Sequence, residues 1–239
     1  MNQEYSVDLF KEIAFDLKIF ARLNGKELDE EVILNLDKAE FPHSLVISLK
    51  DKEDMNEILQ MATKSLKELS DAYKDNNTNL IDLAAAEFAA IYLNKKYDVS
   101  PDESVWLDEG GLVRQASMIN IQEIYSKYNL KSANWQNISE DNLSLQLEFL
   151  AHLIENGKNP ENLIEIAEFM DSHLLIWLKD FAVAIFNRCE SEFYASMLIL
   201  TYVYCDSLRD ILAEILDKPK KILSVGEAVH KLSKSNKKC

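Results

Sequence analysis

Ser139-Glu140-Asp141-Asn142-Leu143-Ser144-Leu145-Gln146-Leu147-Glu148-Phe149-Leu150 decides how the rest of this chain is read. A polar, acidic opening runs into apolar residues at Leu143, Leu147 and Leu150, with Leu145 and Phe149 between them, which is the spacing of one helix face. Ser139 and Asn142 are N-capping types, because a short side-chain oxygen accepts an N–H that the first turn of a helix leaves unbonded. The expected element is an amphipathic helix from about 139 to 156, ended at Asn156-Gly157-Lys158-Asn159 before Pro160 opens another.

The same rhythm extends in both directions. Upstream, Leu9, Ile13, Leu17 and Phe20 mark a first helix ending near Asn24-Gly25, and Asp29-Glu30-Glu31 reads as the acidic first turn of a short one. Pro42 breaks any helix through Phe41-Pro42-His43. Ile58, Met61, Ala62, Ser65, Leu66 and Leu69 outline a helix that stops at 75–79, and 80–93 outlines the next. Residues 94–116, with Pro101, Trp106 and Gly110-Gly111, show no sustained period and are expected to be a long loop of the kind that carries function. Helices are then expected over 117–128, from 160 into the 180s and over 191–216, with Pro219 as a stop. Leu45-Val46-Ile47-Ser48-Leu49 is the one β-like run, and a lone strand cannot form a sheet. No repeat of 20–50 residues is visible. The class is all-α.

Charge narrows the choice of partners. Of the formal net charge of −15, residues 218–239 contribute +6 from seven Lys against Glu227, which leaves residues 1–217 near −21. So acidic a body repels phosphate backbones, so nucleic-acid binding is disfavoured and basic peptides or basic protein surfaces are the natural partners. Cys189, Cys205 and Cys239 form no CxxC pair and leave one thiol over, which fits a reducing compartment. The polar N-terminus has no secretory pattern, and the apolar run 197–205 is too short to span a bilayer. The expected location is cytoplasmic, with no stable membrane insertion.

Catalytic signatures are missing: GxGxxG, GxxxxGK[ST], HExxH and GxSxG do not occur. Two Glu-x-x-His spacings exist, Glu40/His43 and Glu227/His230, but Pro42 interrupts the first and the second lies in the basic tail, so neither is a metal site. His152 and His173 fall within apolar helical patterns, where a histidine satisfied by a neighbour is the expected role, and Cys189 and Cys205 are expected to act as small hydrophobes. No catalytic residue is assigned.

Four blocks remain: Ser104-Val105-Trp106-Leu107-Asp108-Glu109, then 139–149, then His173-Leu174-Leu175-Ile176-Trp177, then Glu192-Phe193-Tyr194. Their order and spacing, from about 83 to 200, resemble the TorD/DmsD/NarJ family of cytoplasmic chaperones for molybdenum-cofactor oxidoreductases. That resemblance implies one all-α, TorD-like domain of about ten helices over 1–217, with 218–239 as a basic tail carrying a short helix and a flexible end. It also implies no enzymatic activity. In that family the block before the long helix reads Glu-Pro-Asp-His. Here Asp141 matches the acid, Asn142 stands where His is usual, and Ser139 or Glu140 takes the Pro position, depending on a one-residue insertion. Weak guanine-nucleotide binding, described for some members, would depend on that missing His; Asn forms hydrogen bonds but carries no charge, so no cofactor is expected.

The implied partners are an apo-molybdoenzyme and its twin-arginine signal peptide. A peptide with paired Arg followed by an apolar segment calls for carboxylates beside an apolar groove. Asp141 and Glu140, with Asn142 and Ser139, are the candidates for the charged end, and Trp106, Leu107, Leu143 and Leu147 for the groove. Three functions stay open: a maturation chaperone for an exported molybdoenzyme, a NarJ-type assembly chaperone for a non-exported or membrane-associated one, and a helical enzyme with a scattered site. A monomer is expected, with a helix-swapped dimer as the alternative form.

Overall fold

The computed structural model describes residues 7–52, 55–94, 96–108, 110–131, 138–157 and 159–220. Glu227, His230, Cys239 and the short helix expected in the tail lie outside them. The described residues form α1 (Val7–Gly25), α2 (Glu30–Lys38), α3 (Met55–Lys74), α4 (Thr78–Phe88), α5 (Glu103–Leu107), α6 (Ala116–Lys127), α7 (Leu143–Asn156), α8 (Pro160–Phe169), α9 (Leu175–Arg188) and α10 (Glu192–Leu216). π-helical turns at Ala89–Leu93 and Met170–Leu174 follow α4 and α8. No strand occurs among them, so the all-α expectation holds; the one β-like feature is an isolated antiparallel bridge between Asp102 and Asn142. The alternating run at 45–49 buries Leu45, Ile47 and Leu49 from turns and bends instead of a sheet. No helix of the described residues is long and apolar enough to cross a membrane.

The chain divides into two compact units: the described parts of Met1–Gly25, Ser100–Leu178 and Leu208–Cys239, and those of Lys26–Val99 and Lys179–Ser207. In the first, α1 lies antiparallel against α7. Ile13, Ala14, Leu17, Phe20 and Ala21 bury one face of α1, and Leu143, Leu147, Leu150, Ala151 and Ile154 answer from α7. Lys18 reaches Glu155 at 2.5 Å near one end of the pair. At the other end Gly25 comes so close to Ser144 that an added Cβ would stand 2.8 Å from the Ser144 Cβ. Glycine there is a packing requirement.

The second unit gathers α2, α3 and α4. Asp29 caps α2 by accepting the Val32 N–H at 3.0 Å, and Asp37 takes the Ser70 hydroxyl at 2.5 Å and Lys74 at 3.1 Å, tying α2 to α3. The buried Glu87 accepts the Tyr97 hydroxyl and, at 2.9 Å, the Cys189 thiol, whose pKa burial and Glu87 together push up to about 12. Cys189 is thus a hydrogen-bond donor more than a small hydrophobe, whereas Cys205 is fully buried. Glu40 lies within a turn, and His43 shares a hydrogen bond with Thr63 at 3.2 Å.

Two expected boundaries move. α7 begins at Leu143, not 139, because 139–142 form a bonded crossing with 100–104. The loop expected at 94–116 contains α5, and α6 starts inside its end.

Candidate functional site

Two short segments of the first unit meet at the Asp102–Asn142 bridge: 100–107, carrying Trp106, and 139–147, opening α7. Leu143 N–H donates to Pro101 C=O at 2.8 Å and Glu103 N–H to Asp141 C=O at 3.1 Å. Each segment then caps the helix of the other or its own. Asn142 caps α7, accepting the Ser144 N–H at 3.1 Å and hydroxyl at 2.8 Å, while its amide N–H donates to Asp102 at 2.9 Å. Both ends of the Asn142 amide are therefore in use. Asp141 does not cap its own helix; its carboxylate accepts the Ser104 N–H of α5 at 2.7 Å and the Ser139 hydroxyl.

Burial decides what these residues can touch. Asp141, Leu143 and Leu147 are 0% exposed, Leu107 2% and Ser139 7%, so the expected charged end and most of the expected groove lie inside the core. The physical reason is local: an acid surrounded by two committed donors and by α5 has no face left for solvent. Glu140 and Trp106 are half-buried. The Glu140 carbonyl accepts the Tyr125 hydroxyl at 3.2 Å, while the Trp106 indole N–H donates to Ser100 C=O at 2.9 Å and its ring stacks on Trp177 at 6.4 Å. The structure thus brings all eight candidates to one junction, but as its framework, with only Glu140, Asn142 and Trp106 partly accessible.

Beneath the junction lies a polar chain that sequence reading missed. Gln146 donates through one amide nitrogen to Asp141 C=O at 3.1 Å and to Glu103 at 2.7 Å, and the other Glu103 oxygen meets His173 Nδ1 at 3.0 Å. Glu103 is fully buried, and burial pushes its pKa up to about 7 against the opposing pull of His173, with Asp141 adding to the rise. His173 accordingly has, through Nδ1, the neighbour expected of a histidine in an apolar pattern; His152 has a partner in Asn156 at 3.4 Å. Two spacings carried the signal: Glu103 stands one turn before the buried Leu107, and His173 one turn before the buried Trp177, so both occupy core-facing positions.

His173 opens on a depression of about 280 Å³ between α6, α7 and α8, walled by Tyr128, Phe149 and Phe169 and edged by Glu165 and Glu168. Tyr128 donates its hydroxyl to Glu165 at 2.6 Å. A second depression of about 290 Å³ shares Phe149 and is more apolar, with Leu130, Leu145 and Tyr125 in its wall and Glu148 and His152 at its edge. Burial raises the Glu148 pKa above the ordinary carboxylate value. No group of three or more metal-ligating side chains gathers among the described residues.

A family model described as the nitrate reductase delta subunit matches residues 52–183. The chain is 30% identical over 172 residues to a Vibrio cholerae protein named chaperone protein TorD, a match covering 69% of this chain and 73% of that one. It is 26% identical over 196 residues to a Vibrio parahaemolyticus protein of the same name, covering 78% and 87%. With a matched stretch that runs from before α3 into α9 and relatives named as chaperones, not enzymes, this chain belongs to the TorD/NarJ family of chaperones.

Proposed function

We propose that this chaperone serves a molybdopterin-dependent oxidoreductase, binding the apo-enzyme and its twin-arginine signal peptide, assisting cofactor insertion and delaying export until the enzyme is folded. The observation that carries the peptide part is the pair of depressions sharing Phe149: one edged by Glu165 and Glu168, the other lined mainly by Leu130, Leu145 and Tyr125. A paired-arginine segment followed by an apolar one has the matching order of chemistry. None of the eight candidates read from the sequence lines either depression; Glu140 adjoins the second through its carbonyl, which accepts the hydroxyl of the lining Tyr125 at 3.2 Å.

Gentle purification of the tagged chain from its native cells, followed by mass spectrometry, is the test. Recovery of an apo-molybdoenzyme, together with binding of the isolated leader peptide, supports the proposal; recovery of no such enzyme sinks it. The description of the matching family model as a nitrate reductase delta subunit favours a second reading, a NarJ-type assembly chaperone for an enzyme that is not exported. Client binding that survives replacement of both leader arginines by glutamine selects the second over the first.

A further inference from the structure

Resting on the peptide-binding proposal and deepening it, we infer that the depression floored by His173 is the receptor for one guanidinium group of the bound peptide. His173 is 7% exposed and its Nδ1 is held by Glu103 at 3.0 Å. Its other ring nitrogen, Nε2, has no hydrogen-bond partner among the described residues, although the ring lines the depression. An open nitrogen on a nearly buried ring that lines a cavity is a group able to take a ligand atom.

The walls say which kind. Phe149 sits edge-on to Tyr128 at 5.4 Å and to Phe169 at 5.0 Å, so aromatic rings form an apolar collar. A flat cation is attracted to such rings more readily than a hydrated ammonium. At the rim Glu165 and Glu168, one turn apart on α8, face a single cation, Lys127, which leaves the rim formally at −1. The planar fork of a guanidinium spreads its N–H groups so that one can meet a rim carboxylate while another meets Nε2, whereas the compact ammonium of a lysine reaches two acceptors only where they lie close together.

Nε2 accepts an N–H only while the single ring proton sits on Nδ1 and is donated to Glu103. A second proton on the Glu103–His173 pair places a hydrogen on Nε2 and turns the acceptor into a donor. A guanidinium bound at Nε2 and a second proton on the pair therefore exclude each other, and such a proton leaves to solvent on binding. The charged and titratable groups around the pair are Asp141 and Tyr125 on the Glu103 side and Lys127, Tyr128, Glu165 and Glu168 on the His173 side. The elevated pKa of Glu103, about 7, sets the window near neutrality.

The test is calorimetry on the full chain with a synthetic peptide of two adjacent arginines and an apolar run, alongside versions carrying two lysines or two glutamines. The arginine peptide is expected to bind about tenfold tighter than the lysine one, and about tenfold tighter at pH 8 than at pH 6, with proton release seen as a buffer-dependent heat. Glu165→Gln with Glu168→Gln, both exposed, should weaken binding about tenfold without disturbing the fold. His173→Gln should remove the pH dependence; should that variant not fold, the buffer-dependent heat of the natural chain still reads the proton. Equal affinity for lysine and arginine peptides, or no loss in the double glutamine variant, overturns this inference and leaves peptide binding standing. No binding of the arginine peptide at any pH overturns both.

Discussion

The carboxylate of Asp141 accepts the backbone N–H of Ser104 at 2.7 Å, so an acid that precedes α7 in sequence caps α5 in space. Since Asp141 C=O also takes the Gln146 amide and the Glu103 N–H, one residue fixes the start of two helices and the position of Glu103.

Asp141→Ala is expected to lower stability by about 2 to 3 kcal/mol, the range for losing charge-assisted bonds while leaving a buried donor unpaired. Asp141→Asn keeps an acceptor for Ser104 and should recover about half of that loss. Urea unfolding of both variants is the check. Peptide affinity lost by Asp141→Ala should return in part with Asp141→Asn, because the acid acts through the framework.

Glu103 gives the fold a pH dependence. Its pKa rises from 4.5 in the unfolded chain to about 7 in the folded one, so the folded state holds the extra proton between those values. The contribution is favourable below about 4.5 and is lost as pH rises through about 7, an effect on the order of 3 kcal/mol. Glu103→Gln should flatten the stability profile between pH 5 and 8. A slope unchanged in thermal melts across that range refutes it.

Gly25→Ala drives a Cβ to 2.8 Å from the Ser144 Cβ at the crossing of two packed helices. That partner atom is a Cβ, fixed to the backbone of α7. A loss of about 1 to 3 kcal/mol is expected by denaturant titration, and Gly25→Ala combined with Ser144→Gly should recover most of it.

Arg209 holds Asp171 through two hydrogen bonds of 2.8 Å, both residues buried. Arg209→Met alone leaves a carboxylate without its cation and should cost about 3 to 5 kcal/mol, whereas adding Asp171→Leu should return much of that stability. A double-mutant cycle measures the coupling.

Leu147→Ala separates a core role from a groove role. With Leu147 fully buried, the expected loss is about 2 to 5 kcal/mol of stability. Affinity of the folded fraction for a peptide should stay within about twofold of the natural chain.

Helix periodicity made most elements legible: Leu9, Ile13, Leu17 and Phe20 form the buried face of α1 or its border, as their spacing requires. The short α5 was not legible, because Glu103 to Leu107 spans barely more than one turn and shows no period. Three of the four blocks that carried the family resemblance converge on one junction, while Glu192-Phe193-Tyr194 belongs to the second unit, where Tyr194 meets Phe88 and Tyr92. Asp141, read from the sequence as a carboxylate for the charged end of a peptide, faces Ser104 N–H. Nothing in the linear pattern distinguishes a carboxylate facing water from one facing Ser104 N–H, since the second requires knowing that residues 37 positions apart touch. The Glu103–His173 contact, across 70 positions, was hidden for the same reason. Its trace was a polar residue at each of two core-facing positions.

The π-helical turn Met170–Leu174 governs more than the local path of the chain. Each residue of a helix advances the face by about 100°, so the length of this turn acts as a phase setting for everything after it. Here the phase lets His173 meet Glu103 while Trp177 stacks on Trp106. Removing a single residue between 170 and 174 would leave composition and helix content almost untouched, yet would swing Trp177 about a quarter turn away from Trp106. For this protein a one-residue deletion there is more damaging than many substitutions, since it misaligns a correct set of side chains instead of replacing any of them.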